Sequence, residues 1–291
     1  MSAADRGPGH PLRRVVPAGS LKEIGRAAVV ALYDELALAP KPGLVSFMDS
    51  GSHDDMDART FMRSLFSLRQ YFPRLAWLGA TGSPFEALEL AGIAGEARML
   101  VATGGINTHR GAVFCLGLLC ASAGAVAAQG APLTTAALQR QLIAGWGPAL
   151  SERVARSSRA HGAIAARRFG LRSAGAEAAL GFPVLFETTL PALRAAQQRG
   201  ATPRQARLQA LFATMAVLED TNLAHRGGLA GLQHAQCAAR TFLADGGALR
   251  PDALAQARAV HADFVARRLS PGGTADMLAA ACWAHRVCGG A

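Results

Sequence analysis

Within five residues this chain sets one imidazole and three carboxylates, His53, Asp54, Asp55 and Asp57, just ahead of an apolar run that begins near residue 57. Carboxylates this close repel one another unless they share a cation, and an oxygen donor set of this kind suits Mg²⁺. The same residues have a second use. An Asp at a helix start accepts from free amide groups and complements the dipole, worth ~1 kcal/mol with no ligand present. One of the three is expected to do only that.

Four other segments contain glycine or proline, and each adjoins an apolar run. In Pro40-Lys41-Pro42-Gly43-Leu44-Val45 the prolines stiffen a turn and Gly43 allows close backbone approach, so Lys41 reads either as a point charge displayed for phosphate or as a solvated residue of a helix-ending turn. Gly104-Gly105-Ile106-Asn107-Thr108-His109-Arg110-Gly111 opens a long uncharged stretch, as an anion pocket or as the capped start of a core helix. Asp220-Thr221-Asn222 with Arg226-Gly227-Gly228 terminates one striped helix, and Ser270-Pro271-Gly272-Gly273-Thr274-Ala275-Asp276 initiates the last. Amides at helix starts beside Lys, Arg, His and Asp suit a phosphorylated ligand and a metal. The His53-Asp54 pair is also similar to that of helical HD-type metal phosphohydrolases. His225, His234, His261 and His285 read as structural or surface residues.

The elements that must position these groups are helices. Only five isoleucines occur in 291 residues, alternating Val/Thr/aromatic runs are scarce, and Ala and Leu dominate. The expected fold is all-α, a single compact multi-helix domain over residues 21–291 behind a disordered segment 1–20. Helical runs are expected at 21–38, from 57 to a stop at Pro73, at 84–102, 108–128, 133–143 and 148–169, around Leu208, Leu211, Phe212, Met215 and Leu218, and at 274–287. No charged residue falls between Arg110 and Arg140, but the strongly apolar part, 112–128, is shorter than the ~20 residues of a membrane span, so a buried core helix is expected.

Composition excludes some classes. The formal charge is +10 and the pI about 10.6, yet Lys22 and Lys41 are the only lysines among 30 basic residues and the arginines are scattered. No basic stripe interleaved with aromatics marks a nucleic-acid binder. Five cysteines, odd in number and without paired-ligand spacing, read as reduced, buried thiols of a cytoplasmic protein. The first twenty residues hold no apolar stretch of signal-peptide length.

Taken in order, these segments resemble the triphosphoribosyl-dephospho-CoA synthase family from about Ala31 to Trp283, with His161-Gly162 and Gly181-Phe182-Pro183 as additional matches. Two departures occur: the family often has Lys where Arg110 stands, and its Arg-Gly-Glu element is reduced to Glu177. The resemblance implies a helical enzyme that joins the ribose C1 of ATP to the 2′-hydroxyl of 3′-dephospho-CoA, expels adenine and keeps the triphosphate. The product is the prosthetic-group precursor for the acyl carrier protein of malonate decarboxylase or citrate lyase, and the compact chain is more similar to the malonate decarboxylase branch. It also implies roles. Lys41, Gly43, Asn107, Thr108, Arg110, Arg226, Gly227, Gly228, Ser270, Gly272 and Gly273 would surround phosphates, and Mg²⁺ would sit on Asp55, Asp57 or Asp220. Asp55, Asp57 or Asp276 would move the proton and stabilise the oxocarbenium-like sugar, with His53 or His109 as second choice. The expected partners are small molecules, ATP and 3′-dephospho-CoA, with no nucleic acid and no membrane; self-association is left open. Two other classes remain: the HD-type phosphohydrolase, and a non-catalytic CoA-binding module.

Overall fold

Good helix formers and well-placed caps make every regular element among the described residues a helix. A computed structural model describes residues 16–156 and 161–289, and among them no strand occurs. In order come α1 (Ala18–Leu36), α2 (Ala58–Ser67), α3 (Tyr71–Ala80), α4 (Phe85–Thr103), α5 (Arg110–Ala128), α6 (Thr135–Ala155), α7 (His161–Phe169) and α8 (Ala174–Ala179). A π-helical turn (Val184–Thr189) leads into α9 (Leu190–Gln198), followed by α10 (Pro203–Val217), α11 (Thr221–Ala244), a 3₁₀ turn (Gly247–Leu249), α12 (Ala253–Ala266) and α13 (Gly272–Cys288). Asp57, Thr134, Ser173, Thr202 and Asp220 cap the helices that follow them through their side-chain oxygens.

The uncharged run forms α5. By length and composition it could cross a membrane, but most of it is buried in the helical core, as expected. Its tightest neighbour is α3. A Cβ on Gly79 would overlap the carbonyl of Ala121, and one on Gly124 would overlap the carbonyl of Ala76. The two backbones therefore meet with no side chain between them, and the Tyr71 hydroxyl completes the contact by donating to the Val113 carbonyl at 3.0 Å. On another side of α5 lies α13, which also packs against α1, α9, α10 and α11.

Several expectations need correction. Pro73 does not end a helix that starts at 57. The chain turns after Ser67, and Pro73 is the third residue of α3, where its missing N–H would have no intrahelical partner anyway. Pro148 does not begin a helix but lies inside α6, whose turns on either side are anchored by buried Leu142, Trp146 and Leu150. Residues 157–160 of the expected run 148–169 lie outside the described residues, as do 1–15 of the expected disordered segment, while α1 already begins at Ala18. Arg226-Gly227-Gly228 does not close α10. It lies within α11, where Gly228, at φ 63°, breaks the helical path. All five cysteines are free thiols; Cys115, Cys120 and Cys282 are buried as expected, but Cys237 is exposed.

Candidate active site

The first turns of α5, α11 and α13 converge, and two aspartates sit among them. Asp220 caps α11 by accepting from the amides of Asn222 (2.9 Å) and Leu223 (3.4 Å) through Oδ1. Its Oδ2 reaches across to α13 and accepts from the Thr274 amide (2.8 Å) and hydroxyl (3.0 Å). A carboxylate has about four lone-pair sites, and here all are used. Asp220, 2 % exposed, is therefore the knot between two helix starts, with nothing left to offer a cation. The expectation that it holds metal is corrected on that ground. Gly273 and Gly272 make the knot feasible: a Cβ on Gly273 would lie 3.2 Å from the Asp220 carboxyl, and one on Gly272 would lie 2.7 Å from the side-chain Nδ2 of Asn222.

Asp276, in the first turns of α13, faces the start of α5. A Cβ on Gly111 would overlap its Oδ2, and the Ala112 amide donates to its carboxylate. Burial, then the charges of Asp220 and Glu35, push the Asp276 pKa well above the usual carboxylate range, against the pull of the Ala112 amide. Asp276 and Asp220 line one wall of a cleft whose cavity volume is about 130 Å³, room for part of a ligand and not for a whole nucleotide. Phe114, Phe182 and Met277 supply apolar surface there, and Arg172 stands in the lining. Arg172 pairs with Glu177 at 3.0 Å, and Glu177 in turn accepts from the Val184 amide that opens the π-helical turn. The sequence reading missed Arg172. It reaches Glu177 from five residues upstream, and the signal available was that Arg-Ser pair ahead of the short helix.

Lys41 is not displayed. It is 1 % exposed, and its Nζ donates to the Glu35 carboxylate at 2.5 Å and to the Glu35 carbonyl at 2.8 Å. The turn folds the side chain back under α1, so the reading of a solvent-facing phosphate contact is corrected. Burial lowers the Lys41 pKa, and Glu35 opposes that shift. His109 is also buried, and burial together with the Lys41 charge pushes its pKa down to about 3, so the imidazole is neutral and a weak base. Thr108 donates to Ser64 Oγ at 2.7 Å, and Ser64 Oγ lies 2.6 Å from His109 Nδ1. That chain of hydroxyls assigns the ring proton to Nε2, which has no partner. Asn107 caps the Arg110 amide at 3.2 Å, and Arg110 is engaged by Glu96 at 2.9 Å.

A third group forms where the 37–57 loop docks on the junction of α12 and α13. Gly43, at φ 65°, sits where any Cβ would overlap the Leu269 carbonyl, and Ser52 donates to that same carbonyl at 2.6 Å. His53 is thereby held with Nε2 2.9 Å from Ser270 Oγ and Nδ1 3.1 Å from an Arg226 nitrogen. Arg226 also donates to the carbonyls of Ser52 (3.1 Å) and Arg268 (3.2 Å). Since Nδ1 accepts from Arg226, the ring is neutral, and burial followed by the Arg226 charge lowers its pKa. A Cβ on Gly227 would lie 2.6 Å from the Leu269 side chain, whereas Gly228 faces open space. His261, read as structural, braces the same loop through the Lys41 carbonyl (2.7 Å) and Asp49 (3.3 Å).

The carboxylates of that loop do not gather. Asp57 is the cap foreseen among the three, accepting from the Thr60 amide and hydroxyl at 2.8 Å each, which holds its carboxyl below the usual range. Asp54 and Asp55 are exposed, and Asp55 lies 3.6 Å from His53. Among the described residues no group of three or more His, Cys, Asp or Glu could hold a metal ion. Asp55, Asp57 and Asp220 therefore do not fit a protein-held Mg²⁺, because two of them are consumed as caps.

Comparison with known proteins gives the family. The family model described as ATP:dephospho-CoA triphosphoribosyl transferase matches residues 21–290. A protein of Pseudomonas fluorescens named probable 2-(5″-triphosphoribosyl)-3′-dephosphocoenzyme-A synthase is 39 % identical over 287 residues, 96 % of each chain. One of the same name from Acinetobacter calcoaceticus is 38 % identical over 251 residues, 86 % of each chain. The Klebsiella pneumoniae 2-(5″-triphosphoribosyl)-3′-dephosphocoenzyme-A synthase is 38 % identical over 273 residues, 91 % of this chain and 95 % of the relative. No solved structure matches the chain.

Proposed function

This chain belongs to the ATP:dephospho-CoA triphosphoribosyl transferase family, and on that premise we propose that it transfers the triphosphoribosyl group of ATP to the 2′-hydroxyl of 3′-dephospho-CoA. The glycosidic C–N bond of ATP breaks, a C–O bond to the acceptor forms, and adenine leaves with a proton as the hydroxyl loses one. The observation that carries the reading is Asp276, set in the cleft where α5, α11 and α13 begin. A carboxylate whose pKa is raised is a stronger base than an ordinary one, so Asp276 takes the 2′-hydroxyl proton. Until it takes that proton, the charged carboxylate also faces the oxocarbenium character of the breaking bond. Arg172 at the cleft and Arg226 at the docked loop are the cations proposed for phosphates, with Gly273 and Ser270 beside them. Mg²⁺ enters the proposal only as the counter-ion that the triphosphate brings with it.

Incubating the protein with ATP, Mg²⁺ and 3′-dephospho-CoA, and following free adenine and product mass, tests this reading. Adenine formed only with both substrates, with a matching adduct, supports it. Phosphate without adenine favours the HD-type hydrolase, which needs the metal constellation that His53 and Asp54 do not form. Binding without turnover favours the CoA-binding module. The finer destination we propose, carried over from the resemblance, is the acyl carrier protein of malonate decarboxylase in the cytoplasm. Transfer of the product to that carrier protein, and not to the citrate lyase one, would support it.

A further inference from the structure

Helix α4 is apolar on two faces, and the fold uses one. Phe85, Leu88, Gly95, Met99 and Thr103 point inward and are buried. On the outside, Leu90 is 68 % exposed, Ile93 59 % and Val101 85 %, with exposed Ala94 and Ala97 between them. A helix that is apolar all round belongs in an interior. Leu90, Ile93, Ala97 and Val101, spaced three, four and four residues apart, make a continuous stripe along the helix, not scattered surface residues.

The charges on this face indicate what covers it. Exposed Glu86 stands at the N-terminal end of the stripe and exposed Arg98 near the other, twelve residues or about 18 Å away. A second α4 laid parallel would set Glu86 beside Glu86 and Arg98 beside Arg98. Laid antiparallel about a two-fold axis, it sets each Glu86 beside the other copy's Arg98, and symmetry makes that contact twice. Small Ala94 and Ala97 in mid-stripe let the helices approach, and the groove between α3 and α4, lined by Arg74, Leu78, Ala87 and Leu90, offers a seat for the opposing aliphatic side chains. We infer that α4 is the self-association face of this protein, pairing antiparallel with α4 of a second copy. The cleft residues come from α5, α8, α11 and α13 and their flanks, so this inference is independent of the proposed chemistry.

Sedimentation equilibrium on the full chain tests it. The expected mass is twice the 30.1 kDa of one chain, and Ile93→Asp should halve it. Glu86→Arg and Arg98→Glu should each raise the dissociation constant about 10-fold, and the double variant should return it to within about 3-fold of wild type. Thermal melts of the charge variants establish that they fold, so the test stands even where Ile93→Asp does not. A monomeric wild type, a dimer indifferent to Ile93→Asp, or charge swaps that do not rescue one another would each overturn the inference.

Discussion

The two ends of α5 use the same device for opposite purposes. Toward its C-terminus, Gly124 meets Ala76 of α3 and Ala121 meets Gly79, and the missing side chains let two backbones touch in an apolar setting. At its N-terminus, Gly111 also lacks a side chain, but what fills the space is the Asp276 carboxylate. The first contact gains dispersion and loses nothing, since every group near it is satisfied or apolar. The second places an acid against Asp220 and Glu35, where burial and like charge both raise its pKa. Stability is concentrated at one end of the helix and reactivity at the other, where an uncomfortable group is held in place.

Asp276→Asn should separate the two ends most sharply. Adenine release is expected to fall by about 10²–10⁴-fold, the range for loss of a general base. Thermal stability should hold or rise, because the amide removes a buried like charge. A folded Asp276→Asn variant that turns over at the wild-type rate would remove Asp276 from the chemistry. At the other end, Gly124→Ala and Gly79→Ala should each destabilise by about 1–3 kcal/mol, read as a lower urea midpoint at unchanged slope, while turnover per folded molecule stays near wild type. Gly111→Ala is the hybrid case. Its methyl group would displace a side chain and not a backbone, so the stability loss should be smaller than at Gly124, with kcat falling more than the urea midpoint. Equal losses at Gly111 and Gly124 would mean that the two ends do not differ in kind.

The helical class, the buried fate of the uncharged run and the capping use of one loop aspartate are legible because each depends on residues close in sequence. Lys41 shows where that stops. Its partner Glu35 lies only six residues away, but on the preceding helix, and the chain must double back before the pair can form. From sequence a rigid turn with a lone lysine reads outward; a buried lysine becomes reasonable only once a carboxylate is seen beneath it. Asp220 fails for a related reason. Half of its bonds go to Thr274, 54 residues later, so its saturation is a tertiary fact. Pro73 misleads in a simpler way, since a proline in a first turn gives up an N–H that had no intrahelical partner, whereas Pro148, in mid-helix, forfeits a bond that the burial of Leu142, Trp146 and Leu150 around it offsets.

The smallest expected effect concerns pH. Asp276 has a folded pKa above its unfolded value, so the native state binds its proton more tightly. The stabilisation linked to that proton is fully present below the unfolded pKa and is lost as pH rises through the folded one. Wild type should therefore lose stability over that interval relative to Asp276→Asn, which has no proton to release there. Asp220 is raised as well, by burial against four hydrogen bonds, but it is common to both proteins and cancels in the difference apart from its coupling to Asp276. The same titration should set the acid limb of kcat/KM, displaced upward from the ordinary carboxylate range. If the stability difference is flat with pH while the acid limb moves, the group that limits the rate is not the one that is strained. The two ends of α5 would then differ in packing alone.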